Sequence, residues 1–334
     1  MWKYLPAIIL FLSACNIAHD NKPVKLLGEA QGTYYSIIYF DSQQRDFQYE
    51  IDSILKAFDQ SVSLWVPESI LSKVNNNNNK VLLNNYFIDN FQISKKVAEE
   101  TNGAFDFTIG PLVKAWGFGY NNHMKVDSVI IDSLLQLVGY EKVDIVNNKV
   151  VKQNPNTTFD FNAIAQGYSV DVIGKFLESK LIDSYLVDIG GEVKAVGQKP
   201  DGNSWKVGIE KPSEESNSSR DLTAIIKLEN QSVATSGNYR KFFEKDGIRY
   251  SHTINPFTGH PTGHNLLSVS IVTNNTALAD AYATACMVMG LNKSIEFIEN
   301  RNELEAFFIF SNEKGDYDIY ATDGFSKLII SEPN

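Results

Sequence analysis

Asp280 and Thr284 stand four residues apart in Asp280-Ala281-Tyr282-Ala283-Thr284, a stretch of helical character. On a helix that spacing sets a carboxylate and a hydroxyl on one face, one turn apart. Both are hard oxygen donors of the kind Mg²⁺ accepts, and protein-bound Mg²⁺ usually holds phosphates as well. A second polar stretch, Asp160-Phe161-Asn162-Ala163-Ile164-Ala165-Gln166-Gly167, lies far upstream. There Asp160 can cap the helix that follows it, face a ligand, or do both.

Four further segments carry residue types suited to phosphate, ring or proton chemistry. Thr235-Ser236-Gly237, with Arg240 close behind, offers hydroxyls, backbone N–H groups and a guanidinium to a pyrophosphate. His252 precedes Asn255-Pro256, a turn that would fix its direction, and an imidazole suits proton transfer. Asp106, in Gly103-Ala104-Phe105-Asp106-Phe107-Thr108, sits on a turn that it can cap itself. Alternatively it accepts a ribose hydroxyl or a ring N–H. Trp65, within Ser61–Ser72, presents a large flat apolar surface beside Pro67. Ahead of all of these, Gln31-Gly32 opens a strand.

The elements that must position these residues are legible from periodicity. Gln31–Phe40 reads as a strand, Glu50–Phe58 as a helix, and Asn75–Asn79 as a loop. Tyr86–Thr101 reads as a helix ended near Gly103, and Gly103–Tyr120 as short strands and turns. Ser128–Val138 is helical, and Lys142–Lys152 is a hairpin turning at Asn147-Asn148. Gln166–Ser179 is helical, Tyr185–Val196 is strand, Gly-Gly turn and strand, and Ser213–Asp221 is a polar loop. Beyond it come strands at Ala224–Leu228, Leu267–Val272, Ala306–Phe310 and Tyr317–Ala321, and helices at Leu278–Met289 and Lys293–Asn300. Lys314-Gly315-Asp316 suits the turn between the last two strands. Hairpins mixed with helices, without a βαβ rhythm, predict an α+β fold with mixed or antiparallel sheets. The sequence holds no Gly-rich dinucleotide fingerprint and no Walker-type phosphate loop.

Taken in order, these segments resemble the ApbE family of FAD:protein FMN transferases, enzymes usually exported as lipoproteins. The resemblance runs from Gly28 to about Ser331. It implies an ApbE-like, T-fold-like architecture. It also implies flavin contacts at Gln31 and Trp65, and FAD contacts at Ala104, Phe105, Asp106 and Asp160. Thr235 and Ser236 would hold the pyrophosphate, and His252 would be both close to the cofactor and tied to activity. Mg²⁺ would be held by the Ala163 carbonyl with Asp280 and Thr284. Gln166 stands where many members carry Lys or Glu, so any role there passes to a neutral amide. The implied reaction moves FMN from FAD to a Thr or Ser hydroxyl of an acceptor flavoprotein, a membrane redox-complex subunit, releasing AMP. Two rivals stand beside it: Mg²⁺-dependent hydrolysis of FAD to FMN and AMP at the same site, and a non-enzymatic flavin-binding lipoprotein, which needs Trp65 and Asp106 but not the Asp280/Thr284 pair and is disfavoured by that pair.

The N-terminus fits export. Met1-Trp2-Lys3-Tyr4 leads a short apolar run and Leu12-Ser13-Ala14-Cys15, a pattern similar to a bacterial lipobox in which Cys15 becomes the lipidated mature N-terminus. The expected organisation is a signal peptide over 1–14, a tether over 15–25 and one transferase domain, possibly of two lobes, over 26–332. Such a protein would be membrane-anchored, facing the periplasm. The only other cysteine, Cys286, lies in an apolar helix and reads as a buried inert thiol. A net charge of −10 argues against non-specific nucleic-acid binding.

Overall fold

A computed structural model describes residues 22–118, 127–212, 221–238, 242–245, 248–251 and 253–331. The lipobox Cys15, Arg240 and His252 lie outside the described residues. The chain begins as a hairpin of β1 (Pro23–Ala30) and β2 (Thr33–Phe40), turned at Gln31 and Gly32, both with positive φ. Residues 23–25, expected in the tether, are thus sheet: Lys25 pairs with Ile38.

Three helices follow: α1 (Gln48–Val62), α2 (Ile70–Asn75) and α3 (Asn85–Glu100). The last two start at side-chain caps, Ser69 accepting from the Ser72 N–H and Asn84 from the Phe87 N–H. Asn75 therefore ends a helix rather than opening a loop. The region expected as short strands and turns forms helix α4 (Gly110–Trp116) instead. Its Pro111 in the first turn and left-handed Gly117 at the end are ordinary helix boundary signals. The density of glycines disguised them as a turn region. Helix α5 (Ser128–Leu135) and the hairpin β3 (Val143–Val146) and β4 (Lys149–Lys152) lead into helix α6 (Ala165–Ser179).

Next come β5 (Tyr185–Ile189), β6 (Glu192–Val196), β7 (Trp205–Glu210), β8 (Leu222–Leu228) and β9 (Gln231–Gly237). A short hairpin, β10 (Phe242–Lys245) and β11 (Ile248–Ser251), precedes β12 (Leu266–Thr273). Helices α7 (Thr276–Met289) and α8 (Leu291–Glu299), strands β13 (Glu305–Ser311) and β14 (Tyr317–Ala321), helix α9 (Asp323–Ser326) and strand β15 (Ile329–Ser331) complete the chain. Sequence periodicity marks neither β7 nor β9; β9 is rich in Ser and Thr and lacks a clear apolar alternation.

One sheet of order β1-β2-β5-β6-β9-β12-β13-β14 is antiparallel throughout, as the hairpin-rich pattern predicts. Side chains alternate between its faces with a period of two. Val193, Ala195, Val233, Val272, Phe307 and Ile309 point to one side, where they pack with residues of the small sheet β15-β8-β7. Ala234, Val269, Ile271, Ala306 and Phe308 point to the other, into the core shared with α7. Alternate residues of α7 from Ala277 to Ala285 are alanines, which lets this buried helix sit close to strands and helices on all sides. Cys286 at its far end is buried and unpaired, and burial pushes its thiol up to about 12, so it is inert at neutral pH.

Candidate functional site

Three of these segments, Gly103–Thr108, Asp160–Gly167 and Asp280–Thr284, meet around the turn that leads into α6. The Asp160 N–H donates to the Phe107 carbonyl at 2.8 Å, and Ile109 bridges Thr158 in parallel, so the 104–110 and 158–167 segments lie side by side. Asn75 joins them from the end of α2. Its side-chain nitrogen donates to the Phe159 carbonyl at 2.9 Å, and its oxygen accepts the Phe159 N–H at 2.8 Å. Sequence reasoning missed Asn75 because it opens a run of five asparagines that reads as loop. Beneath the segments lies an aromatic core: Phe107 is 5.1 Å from Phe91 and 5.4 Å from Phe159, ring to ring, and Phe87 is 5.5 Å from Phe161. Phe105 is buried in the same cluster, so it and Ala104 have mainly backbone to offer a ligand.

Asp106 is heavily committed to local structure. One oxygen accepts from the Thr108 N–H at 2.8 Å and the Thr108 hydroxyl at 2.6 Å, and the other accepts from the Tyr140 N–H at 3.0 Å. Burial outweighs these donors and pushes its carboxyl up to about 6. Asp160 accepts the Asn162 N–H at 2.8 Å, and burial raises its carboxyl as well.

The decisive contact joins α6 to α7. Asp280, 7 % exposed, points at the 160s segment, and its Oδ2 accepts the Gly167 N–H at 3.1 Å. Gly167 must be glycine for this approach. A Cβ there would lie 2.5 Å from the Thr276 carbonyl oxygen and 2.9 Å from the Asp280 Cβ. Desolvation pushes the Asp280 carboxyl up to about 7 against the single N–H that favours its charge. No described Lys, Arg or His forms an ion pair with it.

One turn further on, the Thr284 hydroxyl sits 3.1 Å from the Ser236 hydroxyl of β9. Thr235 does not join them: it lies on the opposite face of β9, where its hydroxyl is 2.7 Å from that of Ser270 on β12. Gln166 turns away to the β5–β6 turn, donating to the Ile189 carbonyl at 2.8 Å and the Glu192 carboxylate at 2.5 Å. That turn meets the strand behind Gln31, since the Gly190 N–H donates to the Tyr34 carbonyl. The Gln31 side-chain nitrogen is buried without a partner, a donor available to a ligand. Trp65 is 63 % exposed on a loop braced by Ser69 and Ser72, whose hydroxyls donate to the Ser63 and Val66 carbonyls. After His252, residues 253–262 fold back as a loop in which Asn255 accepts the N–H groups of Phe257 and Thr258. A cleft of about 420 Å³ bordered by Ala104, Asn102, Asn255, Phe257 and Lys293 lies between this loop and the turn that follows α3.

The residues present fit Mg²⁺. A buried carboxylate without a countercharge and a hydroxyl one turn away on the same helix are hard oxygen donors of the kind it takes. Among the described residues no three His, Cys, Asp or Glu side chains converge. Mg²⁺ needs few protein ligands, because it keeps waters and phosphate oxygens.

The chain matches the family model described as "ApbE family" over residues 31–308. It is 33% identical to the FAD:protein FMN transferase of Vibrio cholerae serotype O1, with 98% of each chain covered. It is 29% identical to that of Escherichia coli K12, over 99% of this chain and 97% of the relative. Among solved structures it resembles the apo flavinyl transferase ApbE of Pseudomonas stutzeri, with a TM-score of 0.83 and 31% identity over 93% of this chain and 98% of that one.

Proposed function

Because the chain belongs to the ApbE family, we propose that it is an FAD:protein FMN transferase whose site is built on the contact between Asp280 and the Gly167 N–H. The acceptor hydroxyl attacks the FMN-side phosphorus of FAD. A new P–O bond joins FMN to Thr or Ser, the bond to the AMP phosphate breaks, and AMP leaves. Asp280, Thr284 and the Ala163 carbonyl would hold Mg²⁺, which when bound supplies charge neutralisation on the diphosphate. The chain's own groups do the rest. Gln31 donates to the flavin, Trp65 stacks on its ring, and backbone at Ala104 and Phe105 lines the pocket. Ser236 shares its hydroxyl with Thr284 and so orients that ligand. His252 takes the proton of the incoming hydroxyl. Thr235 and Gln166 act through the structure, holding β9 to β12 and the β5–β6 turn to α6.

The acceptor in this reading is a membrane redox subunit. The enzyme is tethered to the membrane through Cys15 after export, supported by the lipobox pattern. Among the described residues no helix is long and apolar enough to cross a membrane.

Mass spectrometry of an acceptor flavoprotein after incubation with FAD and MgCl₂ tests the function. An FMN-sized adduct on a Thr or Ser peptide is expected; release of free FMN with an unmodified acceptor would instead show hydrolysis. His252→Ala is expected to bind FAD but leave the acceptor unmodified, and normal transfer by that variant would remove His252 from the reaction. Trp65→Ala removes an exposed ring. It is expected to weaken FAD binding about tenfold, on the order of 1.4 kcal/mol, with little change in melting temperature. Fluorescence titration reads this directly, and unchanged affinity would place the flavin elsewhere.

A further inference from the structure

Asp171 lies one turn beyond Gly167 on α6, and its carboxylate is buried. It reaches the start of α7: Oδ2 accepts the Ala277 N–H at 3.0 Å and Oδ1 accepts the Thr276 hydroxyl at 3.1 Å. Lys194 of β6 completes the cluster, with its ammonium 3.0 Å from Oδ1. The Thr276 hydroxyl also lies 2.8 Å from the Ser232 hydroxyl of β9, so one hydroxyl serves both neighbours. Ala277 is in the first turn of α7, where backbone N–H groups have no partner inside the helix, and a carboxylate there also opposes the positive end of the helix dipole.

These contacts form one frame. Gly167 and Asp171, a turn apart on α6, grip Asp280 and the Thr276–Ala277 turn, a turn apart on α7. On the sheet side, Ser232 and Ser236 of β9 meet Thr276 and Thr284. Four strand residues rise about 13 Å and eight helix residues about 12 Å, so strand and helix stay in register over that length. Rotation or sliding of α7 is opposed at both ends of its Thr276–Thr284 stretch, and Asp280 and Thr284 are the residues whose aim this fixes.

We infer that Asp171, neutralised by Lys194, is a positioning residue that sets α7 so that Asp280 and Thr284 face one metal ion. This rests on the metal reading above. The test is Mn²⁺ binding, followed by EPR of the free ion with FAD present, together with the Mg²⁺ dependence of transfer. Asp171→Asn keeps the size of the side chain but breaks the charge pair and one of the hydrogen bonds. It is expected to raise the Mn²⁺ dissociation constant at least about tenfold, the loss expected of a group that orients a metal ligand. Transfer should recover at high Mg²⁺, with kcat near that of the parent. Ile173→Val, on the same helix but packed in a different core cluster, is expected to lower stability and leave Mn²⁺ affinity unchanged. Should Asp171→Asn fail to fold, Thr276→Val removes the hydroxyl with its bonds to Asp171 and Ser232, spares the charge pair, and is expected to weaken Mn²⁺ binding in the same direction.

Parental Mn²⁺ affinity in Asp171→Asn, or in Thr276→Val where that variant carries the test, overturns the inference, as does equal weakening in Ile173→Val. Asp280→Ala separates the two layers. If it loses Mn²⁺ while Asp171→Asn does not, only the positioning role falls. If it binds Mn²⁺ normally, the metal reading and this inference fall together.

Discussion

Asp280→Asn is expected to stabilise the metal-free protein at neutral pH while abolishing metal-dependent transfer. The Asp280 carboxyl is shifted from an ordinary 3.8 to about 7 by burial. The native state therefore holds this proton more tightly than the unfolded chain. The stability that the protonated group contributes is complete below about pH 4 and is lost as pH rises toward 7. A shift of that size corresponds to as much as about 4 kcal/mol. An amide avoids the loss because it carries no charge at any pH. Urea unfolding at pH 5 and pH 8, with and without Mg²⁺, reads all of this. The parent should weaken between the two pH values and recover with Mg²⁺ at pH 8. The variant should show a shallower pH dependence, retaining what the raised carboxyls of Asp59, Asp106 and Asp160 contribute with the same sign, and no response to Mg²⁺. Identical pH profiles for parent and variant would show that Asp280 is not the strained carboxylate. Metal affinity follows the same proton: below about pH 7 it should fall about tenfold per pH unit, as protons compete for the ligand.

Gly167→Ala is expected to be the most damaging single methyl in the site. The added Cβ would stand 2.5 Å from a carbonyl oxygen of Thr276 and 2.9 Å from the Asp280 Cβ, neither of which can swing aside. Helices α6 and α7 would have to separate. Overpacking of this kind costs about 1–3 kcal/mol or more, and the roughly 1 kcal/mol gained from replacing a helical glycine offsets only part of it. The separation would also stretch the Gly167–Asp280 hydrogen bond, so Mn²⁺ affinity should fall with stability. Calorimetry and EPR on the same preparation check both, and a variant with parental melting and parental Mn²⁺ affinity would contradict the contact.

Much of the fold was legible because its signals are local. The alternation in β2 and β5, the Asn147-Asn148 and Gly190-Gly191 turns, and the apolar spacing of α1, α3 and α6 depend only on neighbours in sequence. Helix α4 was misread because glycine is ambiguous between turn and helix boundary until φ is known, and Gly117 at φ 76° is a helix end. Strand β9 was invisible because five of its seven residues are polar or glycine, and its partners β6 and β12 are remote in sequence.

The same division runs through the site. Sequence alone determined which residues can do chemistry: the i, i+4 spacing of Asp280 and Thr284 guarantees a shared helix face, and the order of the segments carries the family. It could not determine direction. That Thr235 and Ser236 part to opposite faces, that Gln166 spends its amide on a neighbouring turn, and that Asp106 is held by its own loop are consequences of strand pleat and packing. Only the tertiary structure decided that Asp171 grips α7 and that Gly167 lets two helices touch at Asp280. Those contacts join residues more than a hundred positions apart, and no local propensity encodes a distance of that kind.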